Sequence, residues 1–117
     1  MGQCIITRRK ALPIPNDTLP YQVNNLAAAY NRVDGAPEIT VSWDNPTEYW
    51  EGTLIVKKVD SVPQGINDGE KIYDGTANSL VDTALEFDKT YFYRPFPYNS
   101  KKQYQTEFRE SSAFAKN

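Results

Sequence analysis

Apolar and polar positions along this chain repeat with a period of two in short runs, and no window sustains the period of a helix. The clearest run is 38–43, where Ile39, Val41 and Trp43 fall on one side and Thr40 and Ser42 on the other. Successive side chains of a strand point to opposite faces, so this run predicts a strand with one face in a core and one in water. Tyr91 and Tyr93 alternate in the same way with Phe92, Arg94, Phe96 and Tyr98, and here both faces carry aromatic rings. Strands are predicted at 21–29, 38–43, 52–59, 71–73, 79–83, 90–98 and 106–115. Between them stand turn-forming pairs: Asp34-Gly35, Asn45-Pro46, Asp68-Gly69 and Asp74-Gly75. Short strands separated by such turns every 8–12 residues or so predict a β-sandwich. Before residue 21 the pattern is absent. Pro13, Pro15 and Pro20 exclude a regular helix or a central strand there and favour an extended arm.

The order of these runs carries a resemblance. Val23-Asn24-Asn25-Leu26-Ala27-Ala28 is followed by Ile39-Thr40-Val41-Ser42-Trp43-Asp44-Asn45-Pro46, and then by Gly52-Thr53-Leu54-Ile55-Val56-Lys57-Lys58. Lys71-Ile72-Tyr73-Asp74-Gly75-Thr76, Asp82-Thr83-Ala84-Leu85 and Thr90-Tyr91-Phe92-Tyr93-Arg94 complete the series. Together they resemble a fibronectin type III domain of the variety common in bacterial and phage proteins, from about Tyr21 to Ala115. The resemblance implies an all-β, seven-stranded immunoglobulin-like sandwich over 21–117 with an extended N-terminal arm over 1–20. It gives Trp43 and Leu85 core positions. It makes Tyr91, six residues after Leu85, the corner tyrosine whose hydroxyl bonds back to the preceding backbone. The chain departs from the family at Ala84, where glycine is usual, and at Pro95 and Pro97, where small residues are usual. Two prolines on one strand side remove two donors aimed at the same neighbour, so the end of the sixth strand is expected to detach from the last one.

Composition narrows the chemistry. The chain has 117 residues, enough for one domain. It has no histidine and one cysteine, Cys4. An internal disulfide, a Cys/His zinc site and a histidine-based nucleophile are therefore excluded. No catalytic residue, cofactor or metal site is expected. Of 13 basic residues, Arg8, Arg9 and Lys10 lie in the arm, against Asp17 among 15 acidic ones; this leaves 10 basic against 14 acidic residues beyond it. An acidic sandwich repels phosphates, so nucleic acid is not an expected partner. No apolar stretch approaches a membrane span, and Ile5-Ile6 is too short for a secretion signal.

Three surfaces remain as candidates. On the sheet of strands three and six, Leu54, Val56, Phe92, Phe96 and Tyr98 are expected to form an outward apolar patch, either open to a partner or covered by the arm or the fourth strand of the same chain. In the loop after strand two, Tyr49 and Trp50, flanked by Glu48 and Glu51, either offer rings on which a sugar stacks or plug the rim, with Trp50 folded onto the end of the sandwich. The same two carboxylates suggest glycosidase chemistry only if a cleft encloses them. The turns at Asp68 and Glu70 lack the dense oxygen spacing of a calcium loop. In the arm, Cys4, Ile5 and Ile6, followed by Arg8 and Arg9, suit addition to a neighbouring sheet edge. The resemblance, a start at Met1 and the missing secretion signal lead to the expectation of a non-enzymatic virion protein. It would decorate the capsid or sit in the tail, with other virion proteins, and itself, as partners. The alternative is a carbohydrate-binding module that attaches a particle or enzyme to glycans.

Overall fold

The computed structural model describes residues 18–117. They form seven strands: β1 (Asn24–Val33), β2 (Ala36–Asp44), β3 (Gly52–Val59), β4 (Glu70–Gly75), β5 (Ser79–Asp82), β6 (Thr90–Tyr98) and β7 (Ser111–Phe114). All pair antiparallel in two sheets, ordered β1-β2-β5 and β4-β3-β6-β7. This is the seven-stranded all-β sandwich expected from the alternation.

β1 and β2 are joined by the two-residue turn Asp34-Gly35, with φ of 52° and 79°. Positive φ at both central positions gives a turn whose twist matches the strands, and Asp-Gly meets that demand. The turn closes the ladder at Val33 and Ala36, so β1 runs four residues past the predicted end at 29. It also starts later than predicted, at Asn24. Asn25 takes a φ of 54°, and the register shifts between Asn24 and Ala27.

The core lies between the sheets. Ile39, Val41 and Trp43 from β2 meet Ile55 from β3 and Tyr91 and Tyr93 from β6, with Val23 and Ala115 at the edges. Trp43 is buried against Tyr73, with ring centroids 6.1 Å apart, and its indole N–H donates to Asn45 Oδ1 at 2.7 Å. The Tyr91 hydroxyl accepts the Glu86 backbone N–H at 2.8 Å, which ties the β5–β6 loop to the strand that follows it. Leu85 is half-buried against this core.

The prolines of β6 act as the sequence suggested. β6 pairs with β3 from Tyr91 to Tyr98, but with β7 only from Thr90 to Tyr93. Beyond Tyr93 the side once facing β7 presents carbonyls only at the two prolines. Gln22 Nε2 donates to Pro95 O at 3.2 Å, and Gln105 N donates to Pro97 O at 2.8 Å. The stretch 106–110 is consequently not strand, and β7 is shorter than the predicted 106–115.

Candidate functional site

Along its central strands β3 and β6 the four-stranded sheet is buried on both faces, which corrects the expectation of an open patch. Leu54, Val56 and Phe96 do point away from the inter-sheet core, as predicted. They are nevertheless 2%, 0% and 0% exposed, packed under Ile66 and Tyr104. Tyr98 is buried at the same face and Phe92 is half-buried. The patch is not open to a partner, because the chain folds two of its own loops, 60–69 and 99–110, over it.

Arg94 fastens these loops. Its Nη1 donates to Pro63 O and its Nη2 to Thr106 O, both at 2.9 Å. The guanidinium lies between the rings of Phe96 and Phe108, 4.8 and 5.2 Å from their centroids. Burial pushes its pKa down. In the 60–69 loop, Gly69 has a φ of 137°, and a Cβ there would run into the Lys57 carbonyl.

Between the sheets, at the end where β3 finishes, Lys57 reaches Asp82 with Nζ 2.9 Å from Oδ2 and 3.2 Å from Oδ1. Both side chains are 6% exposed. Nζ also donates to Ala84 O at 2.7 Å, the Tyr93 hydroxyl donates to Asp82 Oδ2 at 2.7 Å, and Ala84 N donates to Oδ1 at 3.1 Å. Burial, then the bond to Asp82, raises the Tyr93 hydroxyl well above the ordinary tyrosine value and keeps it a donor. This cluster joins the two sheets and needs no ligand to explain it.

The opposite end gathers the remaining candidates. β1 begins opposite Asp44, and β3 begins opposite Tyr98. The segment 18–23, the loops 45–51 and 76–78, and the loop after β6 therefore share that end. Segment 18–23 is held by side-chain amides. Gln105 Nε2 donates to Pro20 O at 2.9 Å, Asn99 Nδ2 to Thr18 O at 3.2 Å, and Gln22 Nε2 to Glu107 O at 2.6 Å. Pro20 is buried beneath them. Residues 18–23 are thus fixed to that end of the sandwich. The arm's candidate residues Cys4, Ile5, Ile6, Arg8 and Arg9 lie outside the described residues.

Nearby, the Asp74 carboxylate accepts from Lys102 Nζ at 2.8 Å and from the Tyr98 hydroxyl. The bond to Lys102, then that to Tyr98, holds its carboxyl below the ordinary 3.8. A folded pKa below the unfolded one stabilises fully above the unfolded value and ceases to as pH falls through the folded value. Asp74→Asn is therefore expected to flatten the acid limb of the stability curve below about pH 4. Urea midpoints taken from about pH 6 down to about pH 2 check this. An unchanged acid limb means that solvent screens the pair completely.

The same end carries an open cleft of about 550 Å³ lined by Asp44, Asn45, Thr47, Trp50, Thr76 and Asn78, among others. Asn45 organises it. Its Oδ1 accepts from Trp43 Nε1 and, at 2.8 Å, from Thr53 Oγ1, while its Nδ2 donates to Ala77 O at 3.0 Å. Trp50 Nε1 donates to Thr53 Oγ1 at 2.9 Å, so Trp50 is folded against the rim, half-buried. Tyr49 does not join it in the cleft lining; it is 48% exposed, at a residue with a φ of 58°. Glu48 and Glu51 are exposed and also absent from the lining. Sequence reasoning found Trp50 and missed Thr47, Thr76 and Asn78, which look like ordinary turn residues.

No family model and no curated protein matches the chain. Solved structures do. The FN3tt mutant, a fibronectin type III domain, is 11% identical with a TM-score of 0.63, over 86% of this chain and all of that one. The Clostridium perfringens spore cortex lytic enzyme SleM is 17% identical with a TM-score of 0.60, over 82% of this chain and 28% of the enzyme. A β-1,2-glucanase from Parabacteroides distasonis is 16% identical with a TM-score of 0.54, over 86% of this chain and 14% of the glucanase. The two enzymes are far longer than this chain. Together with the strand order, these likenesses define the class: a β-sandwich of the fibronectin type III fold. Fold alone does not assign a function.

Proposed function

We propose that this chain is a non-enzymatic structural module of a phage particle. The sandwich is displayed on the capsid or tail, and the N-terminal arm fastens it to neighbouring virion proteins. One observation carries the reading: residues 18–23 are bonded through Gln22, Asn99 and Gln105 into the end of the sandwich, so a pull on the arm is delivered to a rigid body. The arm's composition, an apolar β-prone start followed by Arg8, Arg9 and Lys10, suits addition to a foreign sheet edge. Symmetry-repeated contacts of this kind hold by avidity without a tight single interface.

The test compares the intact chain with one beginning at Thr18, each produced alongside the particle proteins. The shortened chain is expected to keep its melting temperature and lose its place in purified particles. Full occupancy by the shortened chain overturns the role of the arm. Purified particles that lack the intact chain overturn the virion reading.

A second reading is favoured by the cleft beside the arm: a module that attaches its carrier to glycans. Two proteins of like fold, the cortex lytic enzyme and the β-1,2-glucanase, are named for carbohydrate polymers and lend this reading support.

A further inference from the structure

Three features of the cleft at the arm end point to one kind of ligand. The first is fixed geometry. Trp50 Nε1, Thr53 Oγ1, Asn45 Oδ1 and Asn45 Nδ2 form a chain of hydrogen bonds ending on Ala77 O, each bond between 2.8 and 3.0 Å. This chain links the 45–51 loop to the 76–78 loop, so both walls of the cleft are set before anything enters. With its N–H used inward, Trp50 has only its ring to offer the cleft.

The second feature is unused hydrogen-bonding capacity. The Thr47 and Thr76 hydroxyls and the Asn78 amide are exposed in the lining and bond to nothing else among the described residues. Asp44 engages one oxygen with Asn25 Nδ2, at 2.6 Å, and leaves the other free. The set holds donors and acceptors in neutral groups, plus one carboxylate.

The third is charge. Among the described residues no Lys or Arg lines the cleft, and Asp44 repels anions. A phosphate, a uronate or a sulfated sugar finds no cation among these described lining residues. A flat apolar ligand leaves the hydroxyls and the amide unpaired, at a cost. A pyranose ring meets both demands. One face presents C–H groups to an aromatic ring, and its rim presents hydroxyls that donate and accept.

We propose that this cleft binds a neutral pyranose of a glycan, with Trp50 as the stacking wall and Asp44, Thr47, Thr76 and Asn78 as partners of its hydroxyls. The assignment rests on the glycan reading above and adds the site and the ligand class. It excludes Tyr49 as a contact at the stacking wall.

The experiment uses the intact chain on a printed panel of neutral, N-acetylated and acidic oligosaccharides, followed by calorimetric titration with the strongest neutral binder. Neutral sugars are expected to be retained and acidic ones not, with a weak Kd of about 1 mM. Trp50→Ala is expected to weaken binding by about tenfold or more. Because Trp50 also braces the rim, Asn78→Ala and Thr47→Ala serve as the second test. Neither side chain bonds within the described chain, so both variants keep their melting temperature, and each weakens binding by about three- to tenfold. Sugar binding that survives all three substitutions overturns the cleft and leaves the glycan reading standing. Retention of acidic sugars in preference to neutral ones overturns the ligand class. A blank panel at high protein concentration overturns the glycan reading and the cleft together.

Discussion

Lys57→Met is expected to destabilise the sandwich by about 3 kcal/mol, at the lower end of the usual cost of removing one partner from a buried ion pair. Methionine keeps most of the methylene packing, so the loss reports the ammonium and not a cavity. The variant leaves the Asp82 carboxylate 6% exposed, with only the Tyr93 hydroxyl and the Ala84 N–H as donors. Those two bonds are why the loss falls at the lower end of the range. The Ala84 carbonyl also loses its donor, and the Tyr91 ring loses the cation 5.0 Å from its centroid. Adding Asp82→Asn to Lys57→Met is expected to return a large part of the loss, because the uncompensated charge is then gone. Urea unfolding with an unchanged slope measures both variants. A loss below about 1 kcal/mol for the single variant would place the pair with solvated surface bridges and remove it as a bond between the sheets.

That cluster marks a boundary of what could be read from residue order. The Ile39, Val41, Trp43 alternation, the Asp34-Gly35 turn and the Pro95 and Pro97 signal each act locally, through backbone geometry, and each appears in the structure where expected. Lys57 does not act locally. It follows Leu54-Ile55-Val56 and precedes Lys58, so it reads as the point where a strand emerges into water. Its partner stands 25 residues away on the other sheet. Its face is nevertheless legible in hindsight: Lys57 has the parity of Ile55, an inward residue. The cleft was partly legible. Trp50 signals itself by size, whereas Thr47, Thr76 and Asn78 become a set only because β2 ends, and β5 begins, at one end of the sandwich. The covering of the sheet face by two of the chain's own loops was missed for a related reason. Ile66 and Tyr104 are isolated apolar residues in polar loops, and such residues often mark a loop that folds back onto a sheet.

Arg94→Ala is expected to cost about 2–3 kcal/mol and, with that, to expose the apolar face that the sequence suggested. Arg94 is 7% exposed, and its Nε has no partner among the described residues. Burying it carries a penalty that two charge-assisted bonds to Pro63 O and Thr106 O must offset. Alanine relieves the penalty but frees both loops, which is why the net loss stays below that for Lys57. Lysine is not expected to rescue, since a single ammonium does not span two carbonyls as the planar fork does. The loops 60–69 and 99–110 should then open more often than the rest of the sandwich, with faster amide exchange confined to them. Each opening uncovers Leu54, Val56 and Phe96, a contiguous apolar surface on an otherwise intact sheet. Arg94→Ala should therefore self-associate with rising concentration under conditions where the native chain does not, as light scattering on a sizing column would register. Unchanged loop exchange together with an unchanged mass would mean that the apolar contacts of Ile66 and Tyr104 close the face unaided. The outer face of this sheet is, on this account, a second core that Arg94 helps to hold shut.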